Sequence, residues 1–141
     1  MPRDMVVLID KREQRPWKCF RRFAFATLKT GDYSIAGMER KVCIERKGSV
    51  TEFVLNLGKD WGRFERELKR MQGFAIKILV LEFSLSQLLR GSKYSILQPA
   101  TILGKLSLIM ADMQIPTFFV GNDARKVMPH ILYRIWARKG R

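Results

Sequence analysis

The spacing of apolar positions changes several times along the 141-residue chain, and each change marks an element. Met5-Val-Val-Leu-Ile9 is a continuous apolar run that predicts a buried strand, closed by the charged run Asp10-Lys-Arg-Glu13. Phe23 to Leu28 predicts a second strand, leading into the turn Thr30-Gly31-Asp32. Tyr33 to Ala36 and Lys41 to Glu45 read as a hairpin joined by the polar stretch Gly37 to Arg40. Ser49-Val-Thr-Glu52 has the spacing of a capping box, so a helix follows as far as Leu57, with Gly58 as its interruption. A second helix from Trp61 to Met71 places Phe64, Leu68 and Met71 on one face and turns Arg63, Arg66, Lys69 and Arg70 elsewhere. Ile76 to Phe83 predicts a strand. Pro99 to Met113 predicts a helix with Ile102, Leu106, Ile109 and Met113 on one stripe, and Pro116 to Val120 another short strand. Gly121-Asn-Asp123 caps a last helix that faces Val127, Ile131, Ile135 and Trp136 inward. Strands first, then helices alternating with strands, predict a layered α/β domain around a central mixed sheet.

Composition narrows the class. With 47% hydrophobic residues, among them 9 Phe, the chain has material for a real core, and disorder is excluded as its overall state. No linker, repeat or low-complexity stretch divides it, so residues 1–141 are expected to form a single domain. No run reaches the roughly 18 apolar residues of a membrane span. Met1 to Asp10 is too short in apolar length for a secretory signal, so the expected place is inside the cell, in the cytoplasm, and with the nucleoid if the source is bacterial or phage. Cys19 and Cys43 lie far apart and form no CxxC pair, which argues against structural zinc and a disulfide framework. Lys and Arg number 27 against 13 Asp and Glu, a formal net charge of +14. Such a field attracts polyanions, with nucleic acid first and an anionic membrane second. The membrane reading lacks an amphipathic helix with a large apolar face. The alternative to both is a basic surface that is merely solvated.

The candidate chemistry lies in Asp32, Glu45 and Lys47. Glu45-Arg46-Lys47 closes an apolar strand, so Glu45 and Lys47 share one face and Arg46 points to the other. Asp32 sits where the partner strand begins, and pairing brings its carboxylate toward Glu45. Two hard oxygen donors with open water positions suit Mg²⁺ or Mn²⁺. Lys47 on the same face is placed to orient an attacking water or help deprotonate it. Glu39-Arg40-Lys41 repeats the acid-x-lysine spacing, but it lies in the hairpin connection, with no apolar strand before it to give a rigid site. His130 is the only histidine, which excludes HNH and His-metal nucleases; Ser49 has no histidine placed to activate it and reads as a cap.

This acid, spacer, acid-x-lysine arrangement is the PD-(D/E)xK pattern. The longer pattern is more specific. Val7-Leu-Ile-Asp10-Lys-Arg12-Glu13, then Gly31-Asp32-Tyr33, then Ile44-Glu45-Arg46-Lys47 resemble, in order, motifs of the nuclease domain of the XPF family of structure-specific DNA endonucleases. Arg63 to Met71 and Ile78 to Glu82 resemble the helix and strand that follow. Gly91 to Ser95 and Ile115 to Val120 are similar to short stand-alone bacterial and phage members. The resemblance implies a restriction-endonuclease-like, three-layer α/β/α fold and metal-dependent hydrolysis of DNA, at branched or flapped sites, in repair or recombination. It implies Asp32 and Glu45 as metal ligands, Lys47 beside the attacking water, Asp10 as an auxiliary acid, and Arg46 and Arg12 as holders of acids or phosphate. Glu13 is a further auxiliary candidate, with an ion pair to Arg12 as the plainer reading. One position departs: where the family carries an Asp four residues after the Lys, this chain has Thr51, and Glu52 follows. Glu52 either replaces that acid or serves only the capping box.

DNA contacts are expected from Arg63, Arg66, Lys69 and Arg70 on the second helix and from Ser92, Lys93 and Tyr94 in a loop, residue types that hold phosphate and sugar. The chain ends straight after its last predicted helix, so no helix-hairpin-helix or helicase domain is expected. Specificity then falls to this domain, a second copy in a homodimer, or a partner protein. The rival reading is a catalytically silent DNA-binding module or partner subunit of the same fold, for which Thr51 argues.

Overall fold

The apolar run after Met5 forms β1 (Val7–Asp10) of a six-stranded sheet in the computed structural model, which describes residues 4–91 and 96–138. The other strands are β2 (Phe23–Ala26), β3 (Tyr33–Ile35), β4 (Val42–Lys47), β5 (Ile76–Leu81) and β6 (Thr117–Phe119), in the order β2-β1-β3-β4-β5-β6. β3 runs antiparallel to both its neighbours, and all other pairs are parallel, so the sheet is mixed. That topology makes β1, β4 and β5 all end at the edge where β3 begins. Asp10, Asp32, Glu45 to Lys47 and Glu82 are gathered there.

Because side chains alternate across the pleat, β4 and β5 feed two cores, one on each face of the sheet. Val7, Ile9, Tyr33, Ile35, Ile44 and Val80 pack with Trp17 and Phe20 under α5 (Ala124–Ala137). Cys43, Leu79 and Leu81 pack on the other face against α1 (Val50–Leu57), α2 (Trp61–Met71), α3 (Leu85–Arg90) and α4 (Pro99–Ser107). The result is the expected three-layer α/β/α arrangement. Phe53 and Phe64, both fully buried, meet edge to face at 5.9 Å and lock α1 to α2. Truncating either to alanine would cost about 3–5 kcal/mol. Among the described residues no helix is long and apolar enough to cross a membrane.

Several elements differ from the sequence pattern. α4 stops at Ser107, and Leu108–Asp112 continue as a π-helical turn that still buries Ile109 but leaves Met113 half-buried. α3 gave no periodic signal because only Leu88 of its six residues is buried; its mark is a capping box between Ser84 and Gln87. In α5 the buried stripe is Ala124, Met128, Leu132 and Ile135, while Val127, Ile131 and Trp136 flank it half-buried. Apolar residues surround that helix, so periodicity fixed its existence better than its rotation. Asp123 occupies the N-cap position without a side-chain capping bond and lies 3.6 Å from Lys126 instead. β2 ends at Ala26 and is an edge strand, with Phe23 and Phe25 exposed and packed edge to face on each other at 6.1 Å.

Candidate active site

Gly31 shapes the approach to the sheet edge. Its φ is +86°, and a Cβ there would stand 2.6 Å from the Cys43 Sγ, so a side chain is excluded by both backbone and neighbour. The chain then turns so that the Asp32 amide donates to the Ile44 carbonyl at 2.7 Å. Tyr33 pairs with Ile44, and one residue further along the two strands come Asp32 and Glu45. The Asp32 carboxylate accepts the backbone N–H of Arg46 at 2.8 Å.

On that face the Lys47 ammonium lies 3.3 Å from the Glu45 carboxylate and 4.8 Å over the Phe64 ring. Only 6% of Lys47 is exposed, which keeps its charge inside the protein and beside its partner. Asp10, Asp32 and Glu45 line one cleft of about 270 Å³, together with Lys29, Glu67 and Arg70. Burial pushes the Asp32 carboxyl up to about 6, against the lowering effect of the Arg46 amide. Burial, followed by the charge of Asp32, pushes Glu45 up to about 8, with Lys47 opposing. Two carboxyls raised by burial in a shared cleft, one of them further by the charge of the other, form a trap for a cation.

Asp10 is 2% exposed and held on every side. Its oxygens accept from the Arg12 side chain at 2.7 and 3.3 Å and from the Leu28 amide at 2.9 Å. Burial alone would raise this carboxyl, but the Arg12 side chain and the Leu28 and Arg12 amides outweigh it and hold it below the ordinary value. The Arg12 guanidinium also donates to the Leu28 carbonyl at 2.9 Å, so Asp10 and Arg12 together clamp the segment leading to Gly31.

Arg46 points to the opposite face, as strand alternation requires. It ion-pairs with Glu82 and, at 3.0 Å, with Glu13, donates to the Arg15 carbonyl at 2.6 Å, and lies 4.7 Å over the Trp17 ring. Glu13 also accepts from the Tyr33 hydroxyl at 2.8 Å. Arg12 and Glu13 therefore serve different partners and do not form the local pair that their adjacency suggested. Glu52 is exposed; its carboxylate accepts the Gly48 amide at 3.1 Å, one residue before the cap itself, while Ser49 caps the Glu52 amide at 3.1 Å. It lines the neighbouring cleft on the Arg46 side.

On α2, Arg63, Arg66, Lys69 and Arg70 are all exposed, and Arg70 reaches the cleft of Asp32 and Glu45. Arg63 lies 3.5 Å from Asp60 and Lys69 3.9 Å from Glu65, exposed pairs of little energetic weight. Ser92, Lys93 and Tyr94 lie outside the described residues. The repeated motif at Glu39, Arg40 and Lys41 is exposed in the β3–β4 turn, away from the sheet edge. Three residues join the site from outside the sequence-based list. Glu67 borders the apolar stripe of α2 and joins the cleft, its charge adding to the upward push on Glu45. Glu82 and Trp17 hold Arg46, and the indole N–H donates to Glu82 at 3.3 Å. An acid directly beyond a buried strand was the available signal for Glu82; Trp17 had none beyond its size.

The donor set fits a hard divalent cation. Among the described residues no group of three or more His, Cys, Asp or Glu converges to cage an ion. Two carboxylates beside an open cleft are what Mg²⁺ or Mn²⁺ accepts when water and substrate oxygens complete the shell.

A mixed sheet between helical layers, with paired acids and a lysine at one strand edge, defines a restriction-endonuclease-like fold. The sequence pattern of the ERCC4 domain matches residues 9–126, and the chain belongs to that family. Among solved structures, XPF from Aeropyrum pernix superposes with a TM-score of 0.73 at 17% identity, over 96% of this chain and 63% of that one. A second structure, XPF from Aeropyrum pernix in complex with DNA, gives 0.69 at 15% identity, over 94% and 65%. This chain thus spans less than two thirds of the solved proteins it resembles. No curated protein sequence matches it.

Proposed function

We propose that this chain hydrolyses DNA phosphodiester bonds with Mg²⁺ or Mn²⁺, at branched or flapped DNA. The observation that carries the reading is the convergence of Asp32 and Glu45 on one cleft, with the Lys47 ammonium 3.3 Å from Glu45. Membership of the ERCC4 domain family and the DNA bound to the structurally similar XPF support it. Asp32 and Glu45 would hold the cation, which supplies charge neutralisation at the phosphate and a more acidic water.

The chain's own residues do the rest. As an ammonium, Lys47 donates hydrogen bonds, so it orients the attacking water and steadies charge developing on the phosphate. Asp10 and Arg12 are positioning residues: their clamp on Leu28 sets the segment that presents Asp32. Arg46, anchored by Glu13 and Glu82, fixes the end of β4 and offers its amide to Asp32. Lys29, Arg70 and the basic face of α2 draw the phosphate backbone toward the cleft, and about six phosphate contacts would make binding fall steeply with salt. Residues 1–141 act in this reading as one nuclease unit inside the cell. Substrate choice falls in this reading to the domain itself, to a second copy or to a partner protein.

A catalytically silent DNA-binding module is the second reading. It is favoured by Thr51, which replaces the family's acid, and by Glu52, whose carboxylate is engaged at the Gly48 amide. Cleavage of labelled DNA with and without divalent cation, by the wild type and Glu45→Gln, separates the two. The nuclease reading requires cutting that EDTA and the substitution both remove; tight binding without cutting in any metal supports the silent module.

A further inference from the structure

A second cleft, of about 690 Å³, opens on the α5 side of the same sheet edge. It is lined by Arg12, Arg15, Arg46, Ser49, Glu82 and Arg125, among others. Arg12 and Glu13 line both this cleft and the one that holds Asp32 and Glu45. The two clefts therefore meet at the end of β1 and lie on opposite faces of the sheet, just as Glu45 and Arg46 point to opposite faces of β4.

The charges within the second cleft are unevenly engaged. Glu13 and Glu82 are both committed to Arg46, and Glu52 to the Gly48 amide. Arg15 and Arg125 are exposed, and they reach the cleft from two separate segments of the chain. The Arg15 backbone is fixed, since its carbonyl accepts from Arg46 at 2.6 Å. Arg125 stands in the first turn of α5, which contains no acid and whose N-cap Asp123 makes no side-chain capping bond. A cation at the positive end of a helix is unfavourable by itself; an anion in the cleft answers both the helix end and the guanidinium.

We infer that this cleft is a second phosphate-backbone site. It takes the DNA strand that leaves the cleavage cleft and turns around the sheet edge at Arg12 and Glu13, with Arg15 and Arg125 on its phosphates. The inference rests on the nuclease reading for the first cleft, but binding without metal tests it separately.

The test is the salt dependence of binding, measured in EDTA for a forked DNA and a linear duplex of equal length. The proteins are the wild type, Arg15→Gln/Arg125→Gln and Arg40→Gln/Lys41→Gln. The last pair removes the same charge from the exposed β3–β4 turn. Losing two contacts to single-strand phosphates should make the slope of log Kobs against log salt shallower by about 1.4 for the fork. The duplex slope, and both slopes of the turn variant, should stay at the wild-type value. An unchanged fork slope in Arg15→Gln/Arg125→Gln overturns the inference, and so does an equal change with both DNAs or with both double variants. Cutting by the same wild-type preparation after Mg²⁺ is added reports on the nuclease reading independently.

Discussion

Asp32 accepts the backbone N–H of Arg46 at 2.8 Å, so the acid at the start of β3 is tied to the strand that carries Glu45 and Lys47. Asn keeps that acceptor and removes the charge. Asp32→Asn should therefore fold, bind DNA and fail to cut. Several kcal/mol of charge stabilisation at the phosphate would be lost, on the order of a thousandfold in rate. Glu39→Ala, in the repeated motif, should leave turnover near wild type. Single-turnover cleavage measures both, and a deficit in Glu39→Ala as deep as in Asp32→Asn would contradict the assignment.

Lys47→Met keeps the apolar stem against Phe64 and deletes the ammonium. Cleavage should fall by about 100- to 10,000-fold, the range of a positioned proton-transfer or water-orienting group. Cation affinity, read by calorimetry, should persist, because Asp32 and Glu45 remain. A variant that cuts normally would remove Lys47 from the mechanism.

Stability should depend on pH in a window set by Asp32 and Glu45. Their carboxyls rise from ordinary values of 3.8 and 4.5 to about 6 and about 8 on folding. Between pH 4 and 8 the native state therefore binds more protons than the unfolded chain, and metal-free stability falls as pH rises through that window. A divalent cation binds the ionised pair, so its stabilisation should grow over the same range. It should reach about 2.7 kcal/mol at a hundredfold excess over Kd, roughly 8 °C in Tm for a chain of this size. Melting curves with Mg²⁺ and with EDTA at pH 5 and 8.5 test the sign. A cation shift as large at pH 5 as at 8.5 would be the contrary result, and Glu45→Gln should flatten the decline.

Gly31→Ala should destabilise the protein by about 2 kcal/mol, since it adds a side chain at positive φ and against Cys43. Pairing it with Cys43→Ala removes the contact and leaves the backbone strain, so recovery should be partial. Full recovery of Tm in the double variant would assign the whole cost to the sulfur contact, and no loss in Gly31→Ala would refute both terms.

Much of this architecture was legible in sequence because its signals are local. The runs before Asp10 and through Val42 to Ile44 declared buried strands, and pleat alternation put Glu45 and Lys47 on one face. Phe64, Leu68 and Met71 declared the buried side of α2. What escaped depends on contacts made far along the chain. Glu82 and Trp17 become part of the site only because β5 lies beside β4 and the loop after Glu13 folds under Arg46. Glu67 belongs to the cleft through the packing of α2 on the sheet. Adjacency misled at Arg12 and Glu13, whose partners are Asp10 and Arg46. In α5, apolar residues on several sides drew the expected stripe to Val127, Ile131 and Trp136, whereas the sheet buries Ala124, Met128 and Leu132.

The most direct measurement is cleavage of labelled duplex, single-strand, flap, fork and four-way junction DNA by the wild type and Glu45→Gln, in Mg²⁺, Mn²⁺ and EDTA. The expected result is metal-dependent cutting by the wild type, strongest on a branched substrate, absent in EDTA and absent in Glu45→Gln despite retained binding. Cutting that survives Glu45→Gln would contradict the assignment of Asp32, Glu45 and Lys47 as the site of hydrolysis.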